Sequence, residues 1–135
     1  MAPWFFLLLL ALAGTAQAQY PSKPIALVVP YPAGSDADLS ARNLASHARS
    51  HLGNQPIVVS NRPGASGSIG ATAVRNAAPD GYTLLLARIA SHAILPAIDK
   101  ATPYKWNDFT LLSVLELNPY VCAVKADAPY KSMAD

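Results

Sequence analysis

The sequence has little charge and only one cysteine. Asp, Glu, Lys and Arg make up 13% of its 135 residues, and the formal net charge is +2. The basic residues are scattered, so the sequence lacks the clustered positive charge that nucleic-acid binding requires. The single Cys122 excludes an intrachain disulfide, and no Cys–His cluster has the spacing of a zinc site. These absences argue against nucleic-acid-binding, disulfide-framework and structural-zinc proteins.

The sequence has one long apolar run, and it lies at the N-terminus. Residues 4–13 are continuously apolar, which is shorter than the roughly 20 residues that a membrane-spanning helix needs. The small residues of the following Ala16-Gln17-Ala18 are typical of a signal-peptide cleavage site, although no Lys or Arg precedes the run. We expect residues 1–18 to direct export to a bacterial periplasm and the mature chain to begin at Gln19. The alternative is a buried helix.

Beyond residue 18, short apolar runs alternate with stretches of helical spacing. Strands are predicted at residues 25–29, 56–60, 82–87, 109–117 and 120–125. Helices are predicted at residues 38–52 and 66–78. The stretch that contains Pro96 and Pro103 is expected to be irregular. Buried strands alternating with helices are typical of βαβ units around a parallel sheet.

The first predicted helix, residues 38–52, has an apolar face and recognisable ends. Ser35 with Asp38 resembles a capping box, and Gly53 is placed to end the helix. Its small and apolar residues recur at spacings of three and four: Ala41, Leu44, Ala45, Ala48 and Leu52. In the second predicted helix, three residues are expected to share one side: Ile69, Ala73 and Ala77.

The loops that follow the first three strands are the places where a ligand is expected, because ligands of α/β proteins gather at the carboxyl ends of parallel strands. These loops are residues 30–37, 61–68 and 88–96. In the first loop, Gly34 permits a tight turn before a helix whose unpaired N–H groups attract anions. Asp36 and Asp38 either cap this helix or contact a ligand amine. Tyr31 either lines the cleft or packs beneath it.

The second and third loops match no catalytic motif. Gly64-Ala65-Ser66-Gly67-Ser68 is not the G-x-S-x-G of a nucleophile elbow, and the glycine spacing is not that of a dinucleotide fingerprint. In the third loop Arg88 either pairs with a carboxylate or lies on the surface, while Ser91 and His92 could donate hydrogen bonds. His92 has no nucleophile and orienting acid in sequence, so no catalytic set can be assembled. His47 and His51, at i and i+4, lack a third metal ligand.

Six segments occur together in a characteristic order. They are residues 20–25 (YPSKPI), 28–34 (VVPYPAG), 61–70 (NRPGASGSIG), 77–85 (AAPDGYTLL), 91–94 (SHAI) and 106–109 (WNDF). In this combination they resemble the periplasmic solute-binding receptors of tripartite tricarboxylate transport, often called the Bug family. The resemblance runs from residue 20 to residue 135, and it is specific because the segments occur jointly.

The resemblance implies an α/β, periplasmic-binding-protein-like fold with two domains, whose complete form is a longer chain. It implies a signal peptide at residues 1–18, the N-terminal part of the first domain at 19–118, and a crossover strand with the start of the second domain at 119–135. It also implies a small carboxylate ligand, no cofactor, no enzymatic activity, integral-membrane transporter subunits as partners, and a monomeric receptor when complete.

By position, the resemblance points to ligand-binding residues in all three loops. They are Tyr31, Ala33, Gly34, Ser35 and Asp38 in the first, Ser66, Gly67 and Ser68 in the second, and Ser91 and His92 in the third. Three positions depart from the family, one of them Leu95, which stands where Asn usually precedes Pro96. Ser35 stands where a second glycine is usual, and Arg88 stands where a small residue is usual. Arg88 would either strengthen binding to a dianion or block the pocket.

The 135 residues are expected to supply one wall of a cleft. Micromolar affinity corresponds to about 8 kcal/mol, and a single open wall lacks the hinge closure that would supply it. We therefore expect the chain alone to bind carboxylates weakly or not at all. The alternatives are a non-functional remnant of such a receptor and a small exported hydrolase.

Overall fold

A three-stranded parallel sheet forms the centre of the computed structural model, which describes residues 19–117, 123–130 and 132. The strands are β1 (Ile25–Val29), β2 (Ile57–Asn61) and β3 (Thr83–Leu85). β1 lies between the other two and pairs in parallel with both. The predicted α/β architecture of βαβ units around a parallel sheet is confirmed.

β1 is apolar on both faces because it is the central strand and is covered on both sides. Leu27 and Val29 belong to one core with Leu86 and with two alanines of the following helix, Ala37 and Ala41. Ile25 and Val28 are buried as well. The central strand therefore gives the sheet its core and fixes where the loops leave it.

The first helix, α1 (Asp36–Ala48), begins at Ser35, whose side chain accepts a hydrogen bond from the N–H of Asp38. It continues as a short 3-10 turn (Arg49–His51) before the chain turns at Gly53, where φ is +57°. Of the predicted apolar face, Ala41 is fully buried and the other residues are half-buried: Leu44, Ala45, Ala48 and Leu52. The predicted face is confirmed, and the helix starts two residues earlier than expected.

The second helix, α2 (Ser68–Arg75), packs on the sheet through its smallest residue. A Cβ at Gly70 would lie 2.8 Å from the Cβ of Pro30 and 2.9 Å from the backbone oxygen of Arg62. Gly70 and Ala71 are buried, whereas Ile69 is 55% exposed. The three residues predicted to share one side do not behave alike: Ile69 is exposed, Ala73 is half-buried, and Ala77 lies beyond the end of the helix, which is shorter than the predicted 66–78. Close approach of the backbone at Gly70 turns the larger side chain outward.

The stretch after β3 is helical rather than irregular. A π-helical segment (Ala90–Ile94) leads directly into α3 (Leu95–Ile98). Pro96 lies near the start of α3 and does not interrupt this helical segment. Tyr104 then returns to this segment, and its buried hydroxyl donates to the backbone oxygen of Ser91.

Residues 109–117, predicted as a strand, contain no strand. A strand requires a partner for its backbone hydrogen bonds, and within the described ranges these residues pair with none. Five of their large apolar side chains are exposed: Leu111, Leu112, Val114, Leu115 and Leu117. Of the strand predicted at 120–125, residues 123–125 are not in a strand, and the remainder, Cys122 included, lies outside the described residues, as do residues 1–18.

Within the part of the chain that the structure describes, no helix has the length and apolar character needed to cross a membrane.

Candidate functional site

The loops that follow β1, β2 and β3 leave the sheet at the same edge. The N–H of Arg62 donates to the backbone oxygen of Val29 at 2.8 Å, and the N–H of Leu86 donates to that of Val28 at 2.9 Å. These two bonds continue the parallel ladders beyond the strand ends, so the three loops start side by side. The predicted convergence of the loops is confirmed.

Gly67 is the point at which the second loop touches the other two. Its φ is +93°, and a Cβ on it would lie 2.7 Å from the Cβ of Ser91 and 3.4 Å from that of Pro30. Only glycine adopts this conformation at such close approach without strain. Ser91 is itself 1% exposed, and its hydroxyl donates to the backbone oxygen of Arg88 at 3.3 Å. Gly67 and Ser91 therefore join the loops rather than present side chains to solvent.

The second loop has an unusual backbone. Four successive residues have positive φ: Gly64 at +122°, Ala65 at +45°, Ser66 at +53° and Gly67 at +93°. Left-handed backbone at a residue with a Cβ costs about 1–2 kcal/mol, and such strain clusters at ligand-binding segments. The turn is closed by the Gly67 N–H, which donates to the oxygen of Gly64 at 2.9 Å, and it leaves Ser66 exposed.

Asp38 is a structural cap of the first loop. Its side chain is buried, and its Oδ2 accepts hydrogen bonds from the Gly34 N–H at 2.9 Å and from Arg42 Nε at 3.0 Å. Its Oδ1 accepts one from Asn61 Nδ2 at 2.9 Å. The Arg42 hydrogen bond, followed by those from Gly34 and Asn61, lowers the pKa of Asp38 to about 2. Of the two predicted roles, capping is the one that these contacts support.

The remaining predicted residues of the first loop differ in how accessible they are. Gly34 has φ +81°, as its predicted turn requires, but its N–H is already bonded to Asp38. Ala33 is exposed and Ser35 is half-buried as the helix cap. Tyr31 is partly buried against the core beneath the loop, which favours the second of its two predicted positions.

Arg88 lies between two carboxylates. Its Nη1 is 2.6 Å from Oε1 of Glu116, and its Nη2 is 3.0 Å from Oδ2 of Asp36, although the latter contact lacks hydrogen-bond geometry. The Arg88 side chain is 16% exposed. Oε2 of Glu116 also accepts a hydrogen bond from Ser40 Oγ at 2.9 Å. Sequence reasoning missed Glu116, although a single acid within an apolar run is a signal that a partner is required.

His92 is buried in an aromatic environment. It is 8% exposed, its ring meets that of Phe109 edge-on at a centroid distance of 4.8 Å, and neither ring nitrogen has a hydrogen-bond partner among the described residues. Burial lowers the pKa of His92, and the nearby backbone of Trp106, which does not reach hydrogen-bond geometry with the ring, raises it in part. His92 is therefore neutral at pH 7 and brings no positive charge to a carboxylate.

A cavity of about 310 Å³ lies between the second loop and the segment after α3. Its walls include Ser66, Ser68, Leu95, Asp99, Thr102 and Pro103. Thr102 Oγ1 is buried without a hydrogen-bond partner in the described part of the chain, so the wall retains an unused polar atom. The structure thus brings Ser66 and Ser68 to one cavity, while Gly67 and Ser91 meet behind it and Asp38 serves α1.

Comparisons with known proteins agree with this architecture. Residues 40–135 match the family model described as tripartite tricarboxylate transporter family receptor, TctC. Protein BugT of Bordetella pertussis is 45% identical over 87 residues, which are 64% of this chain and 26% of that protein. The chain spans between about a quarter and two-fifths of the length of the curated relatives that it matches.

Solved structures show the same partial coverage. A structure described as a periplasmic transporter matches with a TM-score of 0.61 and 42% identity over 64% of this chain and 29% of that chain. MatC from Rhodopseudomonas palustris, with bound malate, matches with a TM-score of 0.64 and 36% identity over 67% of this chain and 31% of that chain. Together with the family model, which covers more than half of the sequence, these matches confirm the resemblance found in the loops: the chain belongs to the TctC family of tripartite tricarboxylate transporter receptors.

Proposed function

We propose that this chain is part of a periplasmic receptor that captures a small carboxylate for a tripartite tricarboxylate transporter. The observation that carries the proposal is the convergence of three strand–helix loops at one sheet edge, with the strained Ser66 turn facing a cavity. Malate in the similar MatC supports a carboxylate as the ligand. Residues 1–18 act as the export signal, and residues 19–118 form part of the first domain.

Ligand binding in this proposal depends more on the second loop than on the start of α1. The N–H groups at the start of α1 and just before it already meet carboxylates of the chain itself: Asp36 accepts from the N–H of Ala37 at 2.8 Å, and Asp38 accepts from the N–H of Gly34, in the loop before the helix. A second anion there would meet two negative side chains. The second loop lines its cavity with the hydroxyls of Ser66 and Ser68, which donate to an anion without adding charge. The acid in the cavity wall, Asp99, already accepts a hydrogen bond from the N–H of Ala101 at 2.9 Å.

The proposal assigns a binding role rather than catalysis. The described residues around the three loops include no nucleophile paired with a base: Ser91 donates to a backbone oxygen, and the nitrogens of His92 have no partner. A nucleophile needs a base within hydrogen-bond reach. Transporter subunits in the membrane are the proposed partners of the complete receptor.

The test is a titration of the isotope-labelled 135-residue chain with malate, followed by NMR. Of the two outcomes expected from the sequence, weak binding and none, the proposal requires weak binding: one open wall should bind in the millimolar range, about −4 kcal/mol, with the largest shifts at residues 64–68. The neutral diamide of malate is the ligand control and should cause no such shifts. A chain that shows no shifts with tens of millimolar malate, or equal shifts with the diamide, would contradict the proposal.

A matched pair of variants sharpens the test. Ser66→Ala removes a cavity hydroxyl and should weaken malate binding about fivefold, the effect of one hydrogen bond. Ser46→Ala removes a hydroxyl that bonds within α1, to the oxygen of Asn43 at 2.8 Å, and should leave affinity unchanged.

A further inference from the structure

One carboxylate of the chain is bound as a ligand carboxylate would be. The two oxygens of Glu116 are divided between Arg88 Nη1, at 2.6 Å, and Ser40 Oγ, at 2.9 Å. The single proton of the Ser40 hydroxyl is shared between Glu116 and the backbone oxygen of Asp36, which is also 2.9 Å away. The guanidinium comes from the third loop and the hydroxyl from α1, so two separate elements hold one carboxylate. A guanidinium and a hydroxyl are the groups that proteins use to recognise carboxylates.

Arg88 keeps donor capacity beyond Glu116. A guanidinium has five N–H donors, yet Nη2 of Arg88 is buried without a hydrogen bond in the described part of the chain. Asp36 lies 3.0 Å away but is 80% exposed and out of hydrogen-bond geometry. A ligand carboxylate at this position could accept hydrogen bonds from both Nη1 and Nη2 of Arg88. Glu116 contacts only Nη1, through one oxygen.

The subsite adjoins the converging loops, and the Glu116 that occupies it is partly exposed and lies outside the helices and the sheet. The backbone oxygen of Arg88 accepts the hydroxyl of Ser91, the residue against which Gly67 packs. Glu116 belongs to residues 109–117, which follow the short 3-10 turn at 106–108 and are neither in a helix nor paired in a sheet. Its side chain is 36% exposed. A partly exposed ion pair of this kind is weak enough for a soluble anion to replace.

We infer that Arg88 and Ser40 form a second carboxylate subsite, for which Glu116 is a tethered competitor. A dicarboxylate binds with one end at the second loop and the other end on Arg88 and Ser40, and it displaces Glu116. A monocarboxylate gains from only one of these positions. The inference rests on the proposed function, which it deepens by assigning Arg88 a role in preferring dianions.

The test compares succinate with propionate, using the full chain and Glu116→Gln. This variant keeps the size of the side chain and a hydrogen bond to Ser40 but removes the competing charge. It should bind succinate about two- to fivefold more tightly, the strength of a partly exposed ion pair. Affinity for propionate should change less. Arg88→Gln should bind succinate more weakly, and in Arg88→Gln the added Glu116→Gln change should produce no gain.

Asp127→Asn is the matched control, because it removes another exposed pair, with Lys125 at 2.8 Å, outside the loops. It should leave succinate binding unchanged. Unchanged or weaker succinate binding by Glu116→Gln, with malate still bound by the original chain, would overturn the subsite and leave the receptor proposal standing. If the original chain bound neither malate nor succinate, both the subsite and the receptor proposal would be overturned.

A measurement on the original chain covers the case in which Glu116→Gln fails to fold. The side-chain carboxyl carbon of Glu116 should shift when succinate saturates the chain, because the carboxylate leaves Arg88. Propionate at the same occupancy should shift it less. A Glu116 carboxyl signal that stays in place at saturating succinate would also overturn the inference.

Discussion

Asn61, the last residue of β2, donates from Nδ2 to Oδ1 of Asp38 in α1 at 2.9 Å. The same amide nitrogen donates to the backbone oxygen of Tyr31 at 3.2 Å. The side-chain oxygen of Asn61, Oδ1, accepts from Arg42 Nη2 at 3.3 Å. One side chain at the end of a strand therefore holds both the first loop and the helix that follows it. This network makes the first loop a rigid part of the site.

The contribution of this network to the stability of the fold should depend on pH. The pKa of Asp38 is about 2 in the folded chain against an ordinary value of 3.8, so the carboxylate stabilises the fold above 3.8. That contribution is lost as the pH falls from 3.8 towards 2, because the unfolded chain takes up the proton first. Asp38→Asn should melt at a lower temperature at pH 6, and its difference from the original chain should narrow between pH 4 and pH 2.

Thermal melts at half-unit pH steps would measure this effect. Asp127→Asn, which removes an exposed acid, should run parallel to the original chain across the range. A constant difference between Asp38→Asn and the original chain down to pH 2 would mean that the charge of Asp38 does not stabilise the fold.

The contact at Gly67 should be sensitive to a single methyl group. Gly67→Ala combines a positive φ with a Cβ that would lie 2.7 Å from Ser91, so it should lower the free energy of unfolding by about 2–4 kcal/mol. Gly34→Ala is the matched control, since Gly34 has φ +81° but nothing within 4 Å of its added Cβ. It should cost only about 1–2 kcal/mol. Equal losses in urea denaturation would show that the clash with Ser91 is relieved.

The features that could be predicted from the sequence are those encoded in local residue patterns. The apolar run of β1 indicates a buried strand wherever it lies, and the i, i+3, i+4 spacing around Ala41 indicates a helix face. Residues 109–117 have the composition of a strand, but strand formation depends on a partner that no local pattern contains. For the same reason the contact of Glu116 with Arg88 was missed, because it joins residues 28 positions apart on different segments.

The Tyr104 hydroxyl should stabilise the third loop. It donates to the backbone oxygen of Ser91, and Tyr104 is 3% exposed, so no water can replace the bond. Tyr104→Phe should lower the free energy of unfolding by about 1–2 kcal/mol. It should also speed hydrogen exchange of the His92 amide, which bonds to the oxygen of Arg88. Faster exchange across the whole sheet, without a preference for this loop, would indicate only a global loss of stability.

His92 should make the fold sensitive to mildly acidic conditions. Burial lowers its pKa below the ordinary 6.5, so the unfolded chain binds a proton at a pH where the folded chain does not. Stability is therefore complete above 6.5 and falls as the pH drops below 6.5 towards the folded pKa. The ring lies against Phe109, and Trp106 is near enough for its fluorescence to report loosening of this segment.

Melts followed by Trp106 fluorescence between pH 7.5 and 5, with Trp4→Phe in every variant so that Trp106 is the only tryptophan, would test this dependence. In His92→Phe the group that titrates is gone, so the variant should lose less stability over this range than the original chain, even if it is less stable at pH 7.5. His51→Gln, at an exposed histidine, is the matched control for the loss of an imidazole and should differ from the original chain less than His92→Phe does. If His92→Phe and the original chain lose stability in parallel below pH 6.5, the buried imidazole is not the group that unfolding protonates.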